Sequence, residues 1–310
     1  MSPAALPPDI VVLERGWLSS NNILLLGSEQ TALVDSGYGT HAALTLSLVQ
    51  AQLASRPLDL LINTHLHSDH CGGNATLQAT YPALRTHIPP GLAPAVRAWD
   101  EEALSYTPTG QFCPRFSYQQ LLTPGHTIHL GGRDWEIHAA PGHDPDSVIL
   151  FQPELRILIS ADALWGNGFG VVFPEIEGTS AFHEVGQTLD LIESLRPSLV
   201  IPGHGPVLHD VQGALDYARQ RLDLFTTDPV RHARYAAKVL LKFKLLELQQ
   251  ITLRDLRLWA RATSYFSLLQ SRHFAGVNFE NWLDDLIQDL IRSGAAQAVD
   301  IAGEPGLLNH

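Results

Sequence analysis

Two cysteines in 310 residues, Cys71 and Cys113, cannot build a disulfide framework. A reducing compartment is therefore the default, and a chain of this length can bury a core large enough to need no covalent staples. Long apolar runs are also missing. The longest, such as Ile23 to Leu26, have four residues, against the roughly 20 needed to cross a bilayer, so no membrane association is expected. The opening Met-Ser-Pro-Ala-Ala-Leu-Pro-Pro-Asp places no basic residue ahead of a hydrophobic stretch, so it does not read as a secretory signal, and a cytoplasmic location is expected. Basic residues are scarce, 20 Lys and Arg against 32 Asp and Glu, for a net charge of −12. An acidic body of this kind repels nucleic acid, whose binding is driven by phosphate neutralisation. Hydrophobic content of 45 % with only 17 % charged residues excludes a disordered chain.

The charge is unevenly placed. Residues 1–209 hold 8 Lys and Arg against 20 Asp and Glu, whereas residues 210–310 hold 12 of each. The texture changes at the same point, so two units are expected, 1–209 and 210–310. Within the second, Arg231 to Arg261 carries eight basic residues against Glu247 and Asp255. A solvated helix surface is the plain reading of that excess, and a docking face the other.

Residues 1–209 alternate short apolar strands with helical stretches. Strands are expected at Ile10–Leu13, Asn22–Leu26, Thr31–Asp35, Leu58–Asn63, Trp135–Ala139, Val148–Gln152, Arg156–Ser160 and Leu199–Ile201. Helices are expected at His41–Ala54 and Ala181–Leu195. Such alternation argues for a layered α/β unit. Beyond Pro206 the pattern is helical. Ala236, Val239, Leu240, Phe243 and Leu246 follow the spacing of one helix face. Thr252 and Asn278 are placed as caps of two further helices, Gly294 as a stop, and Ala295–Ile301 as a short strand. Helices followed by a strand give a helical, winged-helix-like module. Its apolar faces have three uses open to them: completing the core, covering the active site, or forming a homodimer.

The chemistry is concentrated in Asn63-Thr-His-Leu-His-Ser-Asp-His-Cys-Gly-Gly-Asn74, where His65, His67, Asp69 and His70 fall within six residues directly after an apolar strand. Imidazoles two apart at a strand end project to the same side, and the adjacent Asp-His pair can reach a neighbouring position. Three further fragments end a strand or turn on a single ligand-type residue: Pro141-Gly-His143, Ser160-Ala-Asp162 and Ile201-Pro-Gly-His204. In each Pro-Gly-His, the proline stiffens the approach and the glycine permits backbone geometries closed to other residues.

The ordered set His65-x-His67-x-Asp69-His70, His143, Asp162, His204 resembles the metallo-β-lactamase superfamily of hydrolases, over about Thr31 to Pro206. The resemblance implies a four-layer αβ/βα sandwich with metals at the strand-end edge of two facing sheets. It implies His65, His67 and His143 on a first divalent ion, Asp69, His70 and His204 on a second, and Asp162 bridging both. Asp69 and Asp162 are then the carboxylates expected to carry catalysis, through a hydroxide shared by the two ions. Zinc suits such ligands, with iron and manganese as alternatives. Asp35, in Leu33-Val-Asp-Ser-Gly37, is expected to orient a ligand or the loop backbone.

Within that family, Asp162 stands where β-lactam-hydrolysing members have Cys, and His67 where the flavin-linked di-iron branch has Glu. Both point to the thioesterase, lactonase, phosphodiesterase and nuclease branches. Trp165, Phe169 and Phe173, set among glycines just after Asp162, are expected to wall a pocket for a small, partly apolar substrate. An ester, thioester or lactone is the expected substrate. The alternatives are an RNA or phosphodiester hydrolase, a mononuclear iron dioxygenase, and a ligand-sensing or partner-binding protein that keeps the metal site.

Overall fold

The computed structural model describes residues 5–310. Six strands form one mixed sheet in the order β1 (Ile10–Leu13), β2 (Asn22–Leu26), β3 (Thr31–Val34), β4 (Leu60–Ile62), β5 (Arg85–Ile88) and β6 (Gln120–Leu121). A second sheet takes β7 (Thr127–Leu130), β8 (Arg133–Ala139), β9 (Val148–Gln152), β10 (Ile157–Ala161) and β11 (Leu199–Pro202), running from β11 at one edge to β7 at the other.

The near-continuous apolarity of these strands follows from burial on both faces. Alternate residues of the first sheet, Ile23, Leu25, Ala32, Val34, Leu60 and Ile62, meet Trp135, Ile137, Val148, Leu150, Ile157, Ile159 and Ile201 of the second. The residues between them point outward. Leu24, Leu33 and Leu61 pack against Val49 and Leu53 of the helix Ala42–Leu53. Ile149, Leu158 and Val200 pack against Leu189 and Ile192 of the helix Phe182–Leu195, and against Leu215 and Ala218 of the helix Val211–Thr227. The result is the expected helix–sheet–sheet–helix sandwich. The sequence reading missed β5, β6 and β7: the polar Arg85, Thr86 and His87 break the apolar pattern of β5, β6 is a two-residue edge strand, and β7, at the edge of its sheet, exposes Thr127 and His129.

Asp228 accepts from the Arg231 N–H and starts the long helix Pro229–Leu248. Thr252 and Asn278 cap the helices Leu253–Ala262 and Phe279–Arg292, accepting from the N–H groups of Asp255 and Glu280. Gly294, at φ +74°, ends the last helix. These helices, with Ser264–His273, enclose a second core around Leu240, Leu256, Phe266, Trp282, Leu283 and Leu286. A small antiparallel sheet, β12 (Gln250–Thr252), β14 (Glu304–Asn309) and β13 (Ala296–Ile301) in spatial order, completes this region. Val171 and Ile176, from the segment after β10, are buried in this same core. Among the described residues no helix is long and apolar enough to cross a membrane.

Candidate metal centre

The site lies where the C-terminal ends of β3, β4, β10 and β11 and the β8–β9 turn converge on one edge of the sandwich. Such edges collect loops free of ladder hydrogen bonds, which is why function gathers there. The β4 loop supplies His65, His67, Asp69 and His70, the β8–β9 turn His143, the end of β10 Asp162, and the end of β11 His204. Between Ile159 and Ala161 the pairing register of β10 shifts, and Ala161 sits at φ +46°. That irregularity re-aims the chain so that Asp162 faces the cleft.

All seven residues expected from the sequence come together. Three overlapping groups have ligand atoms within 4.8 Å of one another: His65, His67 and His143; His65, His70 and Asp162; and Asp69, His70 and His204. The two oxygens of Asp162 face opposite sides. Oδ2 lies 3.4 Å from His143 Nε2, while Oδ1 lies 3.2 Å from His70 Nε2 and 3.8 Å from His204 Nε2. His67 Nδ1 is 2.8 Å from His143 Nε2, and His204 Nε2 is 3.1 Å from Asp69 Oδ2.

The imidazoles of His70 and His143 are held from behind. Asp35, at φ +58° just beyond β3, accepts from the Thr64 N–H at 2.9 Å and the Thr64 hydroxyl at 2.8 Å. Its Oδ2 also lies 2.8 Å from His70 Nδ1, which leaves His70 Nε2 aimed into the cleft. Asp35 thus touches both a ligand-type side chain and the ligand loop. His143 Nδ1 is 2.5 Å from the Val171 carbonyl, and the next residue, Val172, donates its N–H to His232 Nε2 at 3.1 Å. Glycine is required twice. Gly142 adopts φ +139°, and a Cβ at Gly203 would lie 2.3 Å from Asp162 Oδ1.

The electrostatics suit a cation. Burial pushes His65 well below its ordinary pKa, and pushes His67 and His143 down to about 4, so all three are neutral and present lone pairs. Burial alone would raise Asp162 and Asp69, yet His70 and His204 beside them hold both low. His70 moves the other way: burial disfavours its charge, but Asp162, Asp35 and Asp69 outweigh that and raise it. Among the described residues, buried His65 Nε2 and His204 Nδ1 have no hydrogen-bond partner, a costly state for a site left without a ligand. The orphaned imidazole nitrogen of His65, two carboxylates and a glycine-lined approach together fit divalent cations.

Two contributors escaped the sequence reading. Trp17, half-exposed in the β1–β2 loop, stacks on His204 with centroids 5.4 Å apart and planes within 10°. Nothing in its local sequence marks it; its loop is fixed by Asn21, whose side chain donates to the carbonyls of Pro202 and Gly205. Asp144 is buried with Oδ2 3.6 Å from His67 Nε2, and burial raises its carboxyl pKa. Its only signal was adjacency to His143.

A cavity of about 430 Å³ opens from this centre. Trp17, Trp165 and Phe173 stand at the metal end, and Val239, Phe243 and Leu246 of the long helix form the far wall. Phe169, expected beside Trp165 and Phe173, is a correction. It is fully buried on the other side of its loop, edge-on to Phe225 at 6.2 Å, because the glycine-rich chain turns it into the outer helical layer. Cys71 is buried with its Sγ 3.2 Å from the Tyr106 hydroxyl, and burial raises its pKa, so it is no nucleophile.

Residues 15–204 match the family model for the metallo-beta-lactamase superfamily. The type A flavoprotein fprA of Rhodobacter capsulatus is 25 % identical over 217 residues, covering 64 % of this chain and 47 % of its own length. The human acyl-coenzyme A thioesterase MBLAC2 is 27 % identical over 214 residues, 62 % of this chain and 76 % of its own. Several of the curated relatives are matched over only about half their length. The crystal structure of a metallo-beta-lactamase family protein from Thermus thermophilus superposes over 99 % of this chain and 100 % of its own, at 19 % identity and a TM-score of 0.59. With the family match spanning most of the sandwich, the chain belongs to the metallo-beta-lactamase superfamily.

Proposed function

We propose that the protein is a metal-dependent hydrolase that cleaves an ester, thioester or lactone with an apolar acyl part, a thioester first among these. The observation that carries this reading is the opening of an apolar cavity directly onto a cluster of five imidazoles and two carboxylates. The thioesterase names of the human relative and of an Aspergillus fumigatus relative support the choice. His65, His67 and His143 would hold one divalent ion, Asp69, His70 and His204 a second, with Asp162 between them. Zinc is proposed for both, on the hard-to-borderline nitrogen and oxygen donor set. When bound, such ions supply Lewis acidity and lower the pKa of water.

The chain's own residues do the rest. Asp35 and the Val171 carbonyl fix the imidazole tautomers, so that the nitrogens facing the cleft keep free lone pairs. Trp17 and Trp165 flank His204 and exclude bulk water from that side. Phe173, 4.7 Å from the His67 ring, and Phe243 give the acyl group an apolar bed. An acidic leaving group needs no side-chain proton donor, which favours a thioester in a pocket whose nearby imidazoles are all committed.

The test is metal analysis of purified protein followed by a panel of thioesters, esters, lactones and a phosphodiester. Two equivalents of zinc and turnover of acyl thioesters are expected, and His65→Ala or Asp162→Ala should cut turnover by about 100-fold or more. Undiminished turnover in either variant, or no turnover of any acyl substrate by metal-loaded protein, refutes the proposal.

A further inference from the structure

A second cavity, of about 330 Å³, lies between the helices Val211–Thr227 and Pro229–Leu248. Arg221, Arg231, Arg234 and Lys238 line it, and no acidic residue does. Four cations converging on one hollow is unexpected in a chain of net charge −12. Their carboxylate partners are few: Arg234 and Lys238 share Asp289, at 2.7 and 3.9 Å, and Arg231 reaches Asp228 only at 3.8 Å. Arg221 is the telling residue. Its guanidinium rests over the rings of Tyr235 at 4.3 Å and Phe225 at 5.0 Å, which fixes its plane. One nitrogen donates to the Asn167 carbonyl at 3.3 Å, while buried Nε and Nη2 have no hydrogen-bond partner among the described residues. A pre-oriented guanidinium with two unused donors is the geometry that takes a tetrahedral oxyanion in bidentate fashion.

Tyr235 and Lys238 line this cavity and the catalytic one as well. The two cavities therefore adjoin across these two side chains. We propose that Arg221, Arg231, Arg234 and Lys238 form a phosphate-binding subsite, and that the substrate is an acyl thioester of a phosphorylated small-molecule thiol carrier. This rests on the hydrolase reading above and specifies its leaving group. The acyl chain lies against Val239, Phe243 and Leu246, the thioester at the metal centre, and the carrier's phosphate in the basic hollow. Water adds across the C–S bond, its oxygen joining the acyl carbon and a proton passing to sulfur, to give a carboxylic acid and the free phosphorylated thiol. The excess of basic residues between Arg231 and Arg261 thus has one part, Arg231, Arg234 and Lys238, with a use beyond solvation.

The test is calorimetric titration of inorganic pyrophosphate into the metal-loaded full chain, with coenzyme A as competitor. Wild type should bind pyrophosphate saturably and more weakly as salt rises. Arg231→Glu, an exposed position, and separately Arg234→Gln should each weaken binding about tenfold or more. His65→Ala should leave it within about twofold, since the subsite is apart from the metal ligands, and coenzyme A should displace the pyrophosphate. The subsite is overturned by absent binding, by unchanged affinity in both arginine variants, or by loss of binding in His65→Ala, which would put the anion on the metal centre. Failure of coenzyme A to displace pyrophosphate overturns the carrier. All of these are binding readouts, so a failure of the hydrolase reading, seen as absent turnover, is told apart from a failure of the subsite.

Discussion

Lowering the pH should destabilise this protein through one identifiable histidine outside the metal centre. His232 is 2 % exposed and accepts the Val172 N–H through Nε2 at 3.1 Å. Burial, then the charges of Arg221 and His273, pushes its pKa from the ordinary 6.5 down to about 3. The folded state therefore keeps His232 neutral over a range in which the unfolded chain binds a proton there. Its contribution to stability is complete above pH 6.5 and is lost as pH falls towards 3, at about 1.4 kcal/mol per pH unit. Between pH 7.5 and 5 the loss is about 2 kcal/mol. Glutamine at this position can still accept the Val172 N–H through Oε1 but does not titrate. Urea unfolding of wild type and His232→Gln at both pH values isolates the effect, because every other group, metal ligands included, is common to the two. The wild type should lose about 2 kcal/mol more than the variant. Parallel stability profiles would refute the reasoning, and so would a variant that falls faster.

Asp35→Asn keeps the shape but puts an amide where three donors converge. It should weaken metal retention by about 10- to 100-fold in chelator competition and cost about 1–3 kcal/mol of stability; wild-type values for both would remove Asp35 from the site. Gly203→Ala drives a methyl to 2.3 Å from Asp162 Oδ1 and 2.9 Å from His70 Cε1. Metal content by mass spectrometry should fall well below wild type, and an unchanged stoichiometry would show that the loop yields. By contrast, the Gly186 Cβ in the helix Phe182–Leu195 would meet only Leu222 at 3.6 Å. Gly186→Ala should raise stability by about 0.5–1 kcal/mol in thermal or urea unfolding, and a destabilised variant contradicts this.

The sandwich was legible because its strands are apolar on both faces and end in ligand-type residues. The strands over Ile10–Leu13, Asn22–Leu26 and Val148–Gln152 match their expected bounds. The seven ligand-type residues were legible for the same reason, since each follows a strand or a stiffened turn. Phe169 was misplaced because a glycine-rich loop leaves side-chain direction to tertiary packing, and Phe225 and the outer helices decide it. Trp17 was invisible because its role depends on the Asn21 contacts with Pro202 and Gly205, far along the chain. The orphaned donors of Arg221 lay beyond reach too: which of twelve basic residues in the last hundred lacks a partner is settled only by the packing of two helices.

Val171 and Val172 tie the helical region to the chemistry more tightly than a covering lid would. The Val171 side chain is buried among the module's own hydrophobic residues, its carbonyl sets His143, and the neighbouring amide is pinned by His232 from the long helix. A designer who transplants the sandwich without its helical brace would take away the clamp on one imidazole while leaving every ligand-type residue in the chain. The setting of His143 is thus a joint property of both halves, and any replacement of the helical region would have to preserve this two-residue splice.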